Sequence, residues 1–406
     1  MTLSDRPFQR WGLMLLAAVS VAHADLAPAL RRQFFAAAER HDDGELTRLR
    51  GEIVAALGKQ AGVPETGLRK HAPIDTAPPS LAHVCDCWTN TLRDLAGRYP
   101  WQNEKSGRRP RPRAIGRWVR ALYLTDAADK TACAGAEALL AIQGTNGVFG
   151  FPVPAPGEKD RLAVSARRLV SVLEKRGETA IENGYIVQDG GTGELNFDNG
   201  EAAMALLTAY AASGNTAWLE AARRAAEWGL HQPLVPNWNY NCFHAWLAAR
   251  LYRITGETPY REASVALLRY GVLAGQMDDG NWFDAHNAST QYRAVMIRAC
   301  LELHLALKGS GHPYTAELEQ RTRRACDALA RQTLEWGFDA PKAWEALPVD
   351  AFSLALMAFG PDPLWERALN VEINGLLARH PRPLPESVAT YLLYRSGKRE
   401  PVVPTK

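Results

Sequence analysis

The sequence predicts an all-α chain in which about five or six helical hairpins close into a ring. Three observations predict it. One layout occurs three times between Asn196 and Leu307: a polar loop rich in Trp, Phe and Asn, a helix of small apolar residues, a glycine turn, then an amphipathic helix. Trp218 and Tyr260 stand at the same offset after Gly214 and Gly256, so the layout is a repeat of structure and not of composition alone. The first helix of each pair, as in Ala202 to Ala212 and Ala351 to Phe359, is apolar nearly all round, which requires burial of both faces. The second keeps a charged face, as in Glu220, Arg223, Arg224 and Glu227. An open solenoid of such pairs would leave the first helices half exposed, whereas a ring buries them.

In chain order, Arg6 and Arg10 precede an apolar run from Trp11 to Val21, and Ala22-His23-Ala24 has the form of a signal-peptidase site. The run is shorter than the ~20 apolar residues that span a bilayer. Residues 1–24 therefore read as a signal peptide, and the mature chain is expected in the periplasm or outside the cell, a monomer without membrane association. Residues 25–80 read as N-terminal helices, broken at Asp42-Asp43-Gly44, followed by a connector in which Pro64, Pro73, Pro78 and Pro79 forbid long helices. Residues 81–406 read as the helical ring. Its helices are expected from Leu81 to Leu95, Ala114 to Leu124 and Ala128 to Ile142, with a basic Pro-Arg loop carrying Arg108, Arg109, Arg111 and Arg113 before the second. Gly144 to Pro156 cannot be helical and is expected to fold over one end. Arg161 to Lys175 is a helix, Glu182 to Gly191 holds at most a short β-like pair, and after the repeats Val349 to Phe359, Leu364 to Ala378 and Ser387 to Tyr394 supply the last helices.

The formal net charge of +3, of which Arg6 and Arg10 against Asp5 supply +1, neither demands nor excludes a polyanionic ligand, and no nucleic-acid partner is expected. Six cysteines in an exported chain raise the expectation of disulfides. Cys300 and Cys326 lie at similar distances on either side of one hairpin turn and are the expected pair. No Cys-x-x-Cys or His-Cys cluster has zinc spacing, and Asp278-Asp279-Gly280-Asn281 lacks the other ligands of a calcium loop, so neither metal nor cofactor is expected.

The hairpin repeat with its Gly-x-x-x-Trp/Tyr turns, from about Arg113 to Gly397, resembles the α/α-toroid carbohydrate-active enzymes: the six-hairpin glycosidase-like hydrolases and epimerases, and the toroidal polysaccharide lyases. That fold carries several chemistries. The segment Asn239-Tyr240-Asn241-Cys242-Phe243-His244-Ala245-Trp246, followed by Gly275 to Gly280 and His286-Asn287, is similar to the run in toroidal alginate lyases where an Asn-Asn-His segment opens one helix and a Tyr-His-Asn-Tyr segment the next. The likeness implies that Asn239 or Asn241 binds the uronate carboxylate and that His244 neutralises it or moves the proton. The family's catalytic tyrosine falls on Ala285 here, so Tyr240 or Tyr292 would replace it.

In a ring, the loops entering the inner helices gather at one end. Their polar residues are Asp198, Asn199 and Glu201, then Asn239, Asn241 and His244, then Asp284, His286, Asn287, Tyr292 and Arg293. Helix capping accounts for one Asp or Asn per loop at most. β-Elimination of a uronate needs a donor that neutralises the carboxylate and a base beside the carbon-5 proton. The expected catalytic set is therefore His244 and Tyr292 as acid and base, with Asn239, Asn241 and Arg293 on the carboxylate. Trp238, Tyr240 and Trp282 are expected to stack on sugar rings, with His286 and Asn287 as further contacts. The substrate is expected to be a uronate-containing polysaccharide or oligosaccharide. The runner-up is a glycoside hydrolase using Asp198 and Asp284, with Glu201, Asp350 and Glu386 also at inner-helix starts. A third reading is a non-catalytic polysaccharide-binding or export scaffold.

Overall fold

The computed structural model describes residues 28–64, 74–102, 109–155, 157–159, 161–178, 180–338, 346–379 and 383–402. The expected signal peptide lies outside the described residues. The helices are α1 (Pro28–Glu39), α2 (Asp43–Leu57), α3 (Leu81–Leu95), α4 (Pro112–Thr125), α5 (Lys130–Ile142), α6 (Arg161–Arg176), α7 (Glu194–Ser213), α8 (Thr216–Leu230), α9 (Trp238–Thr255), α10 (Thr258–Gly271), α11 (Thr290–Leu307), α12 (Thr315–Trp336), α13 (Leu347–Phe359), α14 (Pro363–Leu377) and α15 (Val388–Arg395).

The repeat has an atomic basis. In the turn after α7, Gly214 takes a φ of 75° and donates its N–H to Tyr210 O, and after α9 Gly256 takes a φ of 74° and donates to Tyr252 O. The preceding hydroxyls act alike: Ser213 Oγ donates to Ala209 O and accepts from Asn215 N, and Thr255 Oγ1 donates to Leu251 O and accepts from Glu257 N. A left-handed residue in each turn satisfies the last carbonyls and reverses the chain. Trp218 and Tyr260 are then buried at matching places in α8 and α10.

Six helices, α4, α7, α9, α11, α13 and α15, form an inner ring in which each packs on the next and α15 returns to α4. The other layer holds α5, α8, α10, α12 and α14, each against the inner helix before it, and α3, which packs on α15 and so completes the sixth pair across the two ends of the ring. Leu384 N donates to Thr91 Oγ1 on α3 at 2.9 Å, fastening that closure. The structure is a complete α/α toroid of six hairpins. Close packing of α4 on α7 depends on Gly116, where a Cβ would stand 2.6 Å from Glu201 O and 3.0 Å from Ala202 Cα.

Three two-residue strands, β1 (Phe151–Pro152), β2 (Ile181–Glu182) and β3 (Tyr185–Ile186), form an antiparallel sheet in the order β1-β3-β2. The 144–155 loop thus contributes a strand of its own beside the short β pair. Segment 28–64 docks across the outer side: Phe35 stacks on Trp238 with centroids 4.5 Å apart, Phe34 meets Trp238 and Phe283 edge-on, and Gly62 N donates to Phe283 O. The connector is tied down through Asn370 and Asn374 of α14, which donate to the carbonyls of Thr76, Asp75 and Ala77.

The expected Cys300 to Cys326 disulfide is absent, and all six cysteines are free. Both thiols are buried between α11 and α12, and Cys300 has the Thr322 hydroxyl as a hydrogen-bonding neighbour, with burial pushing it up to about 12. Among the described residues no helix is long and apolar enough to cross a membrane.

Candidate functional site at the mouth of the barrel

All six inner helices begin at the same end, so six positive helix ends converge there, with side chains accepting from several of the first N–H groups: Asp198 from Arg113, Asp189 from Leu195, Asn287 from Asn239 and Gln291 from Leu347. Around that mouth stand Arg111 at the cap of α4 and Arg113 as its second residue, Glu194 and Asp198 of α7, Tyr240 of α9 and Tyr292 of α11. Arg111 and Arg113 approach Asp198 Oδ2 at 3.2 and 3.1 Å, and Arg113 also donates its backbone N–H to Asp198 Oδ1. Arg111 lies over the Phe151 ring at 4.1 Å, while Arg113 covers Phe197 at 4.1 Å. The Arg111 contact with Asp198 lacks hydrogen-bond alignment, and Nε and Nη2 of Arg111 are buried donors without a hydrogen-bond acceptor. Burial lowers the Arg111 guanidinium, an effect that Asp198 partly offsets.

Tyr240 is half-buried and sits within electrostatic reach of Glu194, Tyr292, Arg113 and Arg111; burial and then Glu194 raise its phenol well above the ordinary value. Burial likewise raises the Glu194 carboxyl, against the pull of Arg111 and Arg113. The Tyr292 ring lies 4.3 Å from that of His286.

Below the mouth the barrel axis is filled by ion pairs. Arg298 joins Glu201 at 2.7 Å to Asp350 at 3.0 Å and lies over the Trp246 ring at 4.3 Å. Arg117 meets Glu201 at 3.4 Å and Arg120 meets Asp350 at 3.2 Å. Every one of these groups is buried. A cavity of about 20 Å³, lined by Arg117, Arg120, Glu201, Arg298, Asp350 and Glu386 among others, remains above them. That is room for a water or two and not for a sugar ring, so a saccharide would have to sit in the mouth and reach this floor only with small groups. Asp350 Oδ1, buried and without a hydrogen-bond partner, is an acceptor at that floor.

The structure separates the residues expected from sequence into three groups. Tyr240, Tyr292, His286 and Asp198 come together at the mouth. Asn239, Asp284 and Asn287 are locked into one another: Asn239 donates twice to Asn287 Oδ1, Asn287 Nδ2 donates to Asp284 Oδ1, and Trp238 Nε1 donates to Asp284 Oδ2. Asn241 accepts from Val235 N and donates to Val235 O and Gly271 O, fixing the loop into α9. These amides position loops, and these bonds use the donors that a substrate carboxylate would need. The third group is buried away from the mouth. His244 packs between α7, α8 and α9, its Nε2 3.4 Å from Asn199 Nδ2 and its ring edge-on to Trp228; burial lowers it to about 4, so it is neutral. Arg293 donates to Ala288 O and is otherwise enclosed, and burial lowers it to about 9. Trp238 and Trp282 are 2% and 0% exposed, and Phe34, Phe35 and Phe283 occupy the surroundings of the Trp238 ring.

Sequence reasoning did not assign Arg111, Arg113 or Glu194 to the site. A signal was present: Arg113, Arg117 and Arg120 recur at helical spacing on one face of α4, and Glu201, Arg250, Arg298, Glu302 and Asp350 interrupt helices that are otherwise apolar. Charges on the buried stripe of a ring of helices must meet at its axis. Among the described residues no three His, Cys, Asp or Glu side chains gather as a metal site would require.

No family model matches this chain, and no curated protein matches it. Among solved structures it is similar to a polysaccharide lyase at 14% identity, with 78% of this chain and 96% of that one covered and a TM-score of 0.50. It is also similar to an unsaturated glucuronyl hydrolase from Streptococcus agalactiae (12% identity, 82% and 98% covered, TM-score 0.49) and to a GH76 α-mannanase from Bacteroides thetaiotaomicron (13% identity, 78% and 95% covered, TM-score 0.49). At these identities the likeness is one of fold, the α/α toroid.

Proposed function

We propose that this chain is an exported enzyme that cleaves a uronate-containing polysaccharide or oligosaccharide by β-elimination at the mouth of the barrel. The observation that carries the reading is Arg111: a guanidinium whose buried Nε has no hydrogen-bond acceptor and whose Nη2 meets Asp198 only as an ion pair, beside Arg113 and two tyrosines, where six helix ends already favour an anion. A uronate carboxylate there is neutralised, which acidifies the proton on carbon 5. Tyr292, as the phenolate after passing its own proton to the His286 imidazole beside it, takes the carbon-5 proton; the bond from carbon 4 to the glycosidic oxygen breaks with the electron pair leaving on that oxygen; and Tyr240, kept as a phenol, gives its proton to the leaving oxygen. The product carries a double bond between carbons 4 and 5. Asn199 and His244, in the second turns of α7 and α9, serve to tie those helices to each other and to α8. The similarity to a polysaccharide lyase in fold is compatible with this chemistry and does not choose it.

A specific observation favours hydrolysis as the second reading. Glu194 is pushed toward its protonated form by burial, while Asp198, four residues on along α7, is paired with two arginines. Two carboxyls in contrasting environments are what an acid and its partner require.

The experiment is to incubate the protein with uronate polymers and neutral glycans, following near-ultraviolet absorbance and new reducing ends together. Elimination gives both signals on a uronate polymer, with Tyr240→Phe and Tyr292→Phe each reducing the rate ~100-fold or more. Reducing ends without absorbance, lost in Glu194→Gln, would transfer the assignment to hydrolysis. Silence in both with binding retained would make the chain a saccharide-binding protein.

A further inference from the structure

The end of the barrel opposite the mouth contains a second charged site. Beyond α15 the chain turns back and inserts Glu400 between the far ends of the inner helices. Its Oε1 lies 2.5 Å from Arg250 Nη2 of α9 and 3.0 Å from Thr208 Oγ1 of α7, which donates to it. Its Oε2 lies 3.1 Å from Arg120 Nη2 of α4. Arg120 and Arg250 are 7% and 2% exposed, so both are too deep for water to compensate them. Glu302 also approaches Arg250, at 3.5 Å, and is shared with Arg253. Three different inner helices thus present two guanidinium groups and a hydroxyl to one carboxylate, a donor set that recognises the carboxylate group and nothing else of the residue bearing it.

We propose that Arg120, Arg250 and Thr208 form a carboxylate-binding site at the closed end of the barrel, filled by the chain's own Glu400 and able to accept a small free monocarboxylate when that side chain is removed. The site communicates with the mouth, because Arg120 divides its guanidinium between Glu400 and Asp350, which forms part of the floor of the mouth cavity. Occupation of the closed end therefore fixes a charge beneath the open end.

The test is thermal unfolding of the full chain with Glu400→Ala, in sodium formate and in sodium chloride at matched ionic strength. Glu400→Ala is expected to melt about 4–6 °C below the parent in chloride, since two buried arginines lose their counter-charge. Formate should raise its Tm saturably by about 2 °C or more, while the parent and Glu400→Gln, whose sites are filled, should not respond. Arg250→Met in the Glu400→Ala background should abolish the response. Equal formate shifts in all variants, or none in Glu400→Ala, would overturn the proposal. If Glu400→Ala does not fold in chloride, recovery of its helical circular dichroism in formate supports the site, and failure to recover overturns it.

Discussion

Replacing Arg298 by Met tests whether the ion pairs on the barrel axis hold the ring together. Arg298 contacts Glu201 at 2.7 Å and Asp350 at 3.0 Å, and all three are almost fully buried. At an effective dielectric of ~20 each contact is worth roughly 5–6 kcal/mol of gross attraction, most of it offset by desolvation. Met fills similar volume but leaves Glu201 with the longer contact to Arg117 at 3.4 Å and Asp350 with Arg120 at 3.2 Å. The expected loss is about 3–5 kcal/mol at pH 7. With an unfolding entropy of about 2.1 cal/mol/K per residue, on the order of 0.8 kcal/mol/K for this chain, that is a drop in Tm of about 4–6 °C. The pH dependence identifies the cause. Burial pushes the Glu201 carboxyl up, but Arg298 and Arg117 outweigh it and hold it below its ordinary value. In the parent this contribution is complete above the unfolded carboxylate range and is lost as pH falls through the folded value. In Arg298→Met the folded value rises, and protonation then relieves the buried charge. The gap in Tm between parent and variant should therefore shrink between pH 7 and about pH 4, as differential scanning calorimetry would record. A gap that is constant with pH, or under about 1 °C at pH 7, would refute the reasoning.

Other outcomes follow from the same packing. His244 is lowered to about 4 by burial, against an ordinary value of 6.5, so its contribution is complete above pH 6.5 and declines as pH falls toward 4, by up to on the order of 3 kcal/mol; His244→Gln should flatten that part of the stability profile in chemical denaturation. Gly229→Ala would place a Cβ 2.5 Å from the enclosed His244 ring and should cost about 1–3 kcal/mol, measured by the shift of the urea midpoint. Of the six cysteines, Cys85 and Cys133 are exposed, so a thiol reagent should label two quickly in the native protein and all six in denaturant, and dithiothreitol should leave Tm unchanged.

The ring was legible because its signals are local. Glycine turns, capping residues and helices of small apolar residues recur in the repeated segment, and burial on both faces of the first helix leaves few architectures. The closing contact was not legible, since α3 and α15 stand at opposite ends of the chain and meet through contacts such as the bond from Leu384, just before α15, to Thr91 of α3. Within the site, residue type misled where depth decides. His244 has the right chemistry, yet a position six residues after the start of α9 turns it toward Gly229 of the outer layer. Trp238 and Trp282 carry the flat faces a sugar prefers, but Phe34 and Phe35, some two hundred residues away in sequence, cover the region of Trp238. The basic Pro-Arg loop gave no sign of its role by itself, because what places Arg111 and Arg113 in the site is Asp198 of α7, some eighty-five residues on in the chain.

The central claim is that the mouth receives a uronate carboxylate on Arg111. It is tested most directly by calorimetric titration of a short uronate oligosaccharide into Tyr240→Phe, in which turnover is expected to be suppressed, and into the same variant carrying Arg111→Met. The account predicts binding about tenfold or more weaker in the second protein, and no such difference for an oligosaccharide whose carboxyls have been reduced to alcohols. Equal affinity of the two proteins for the uronate would contradict it.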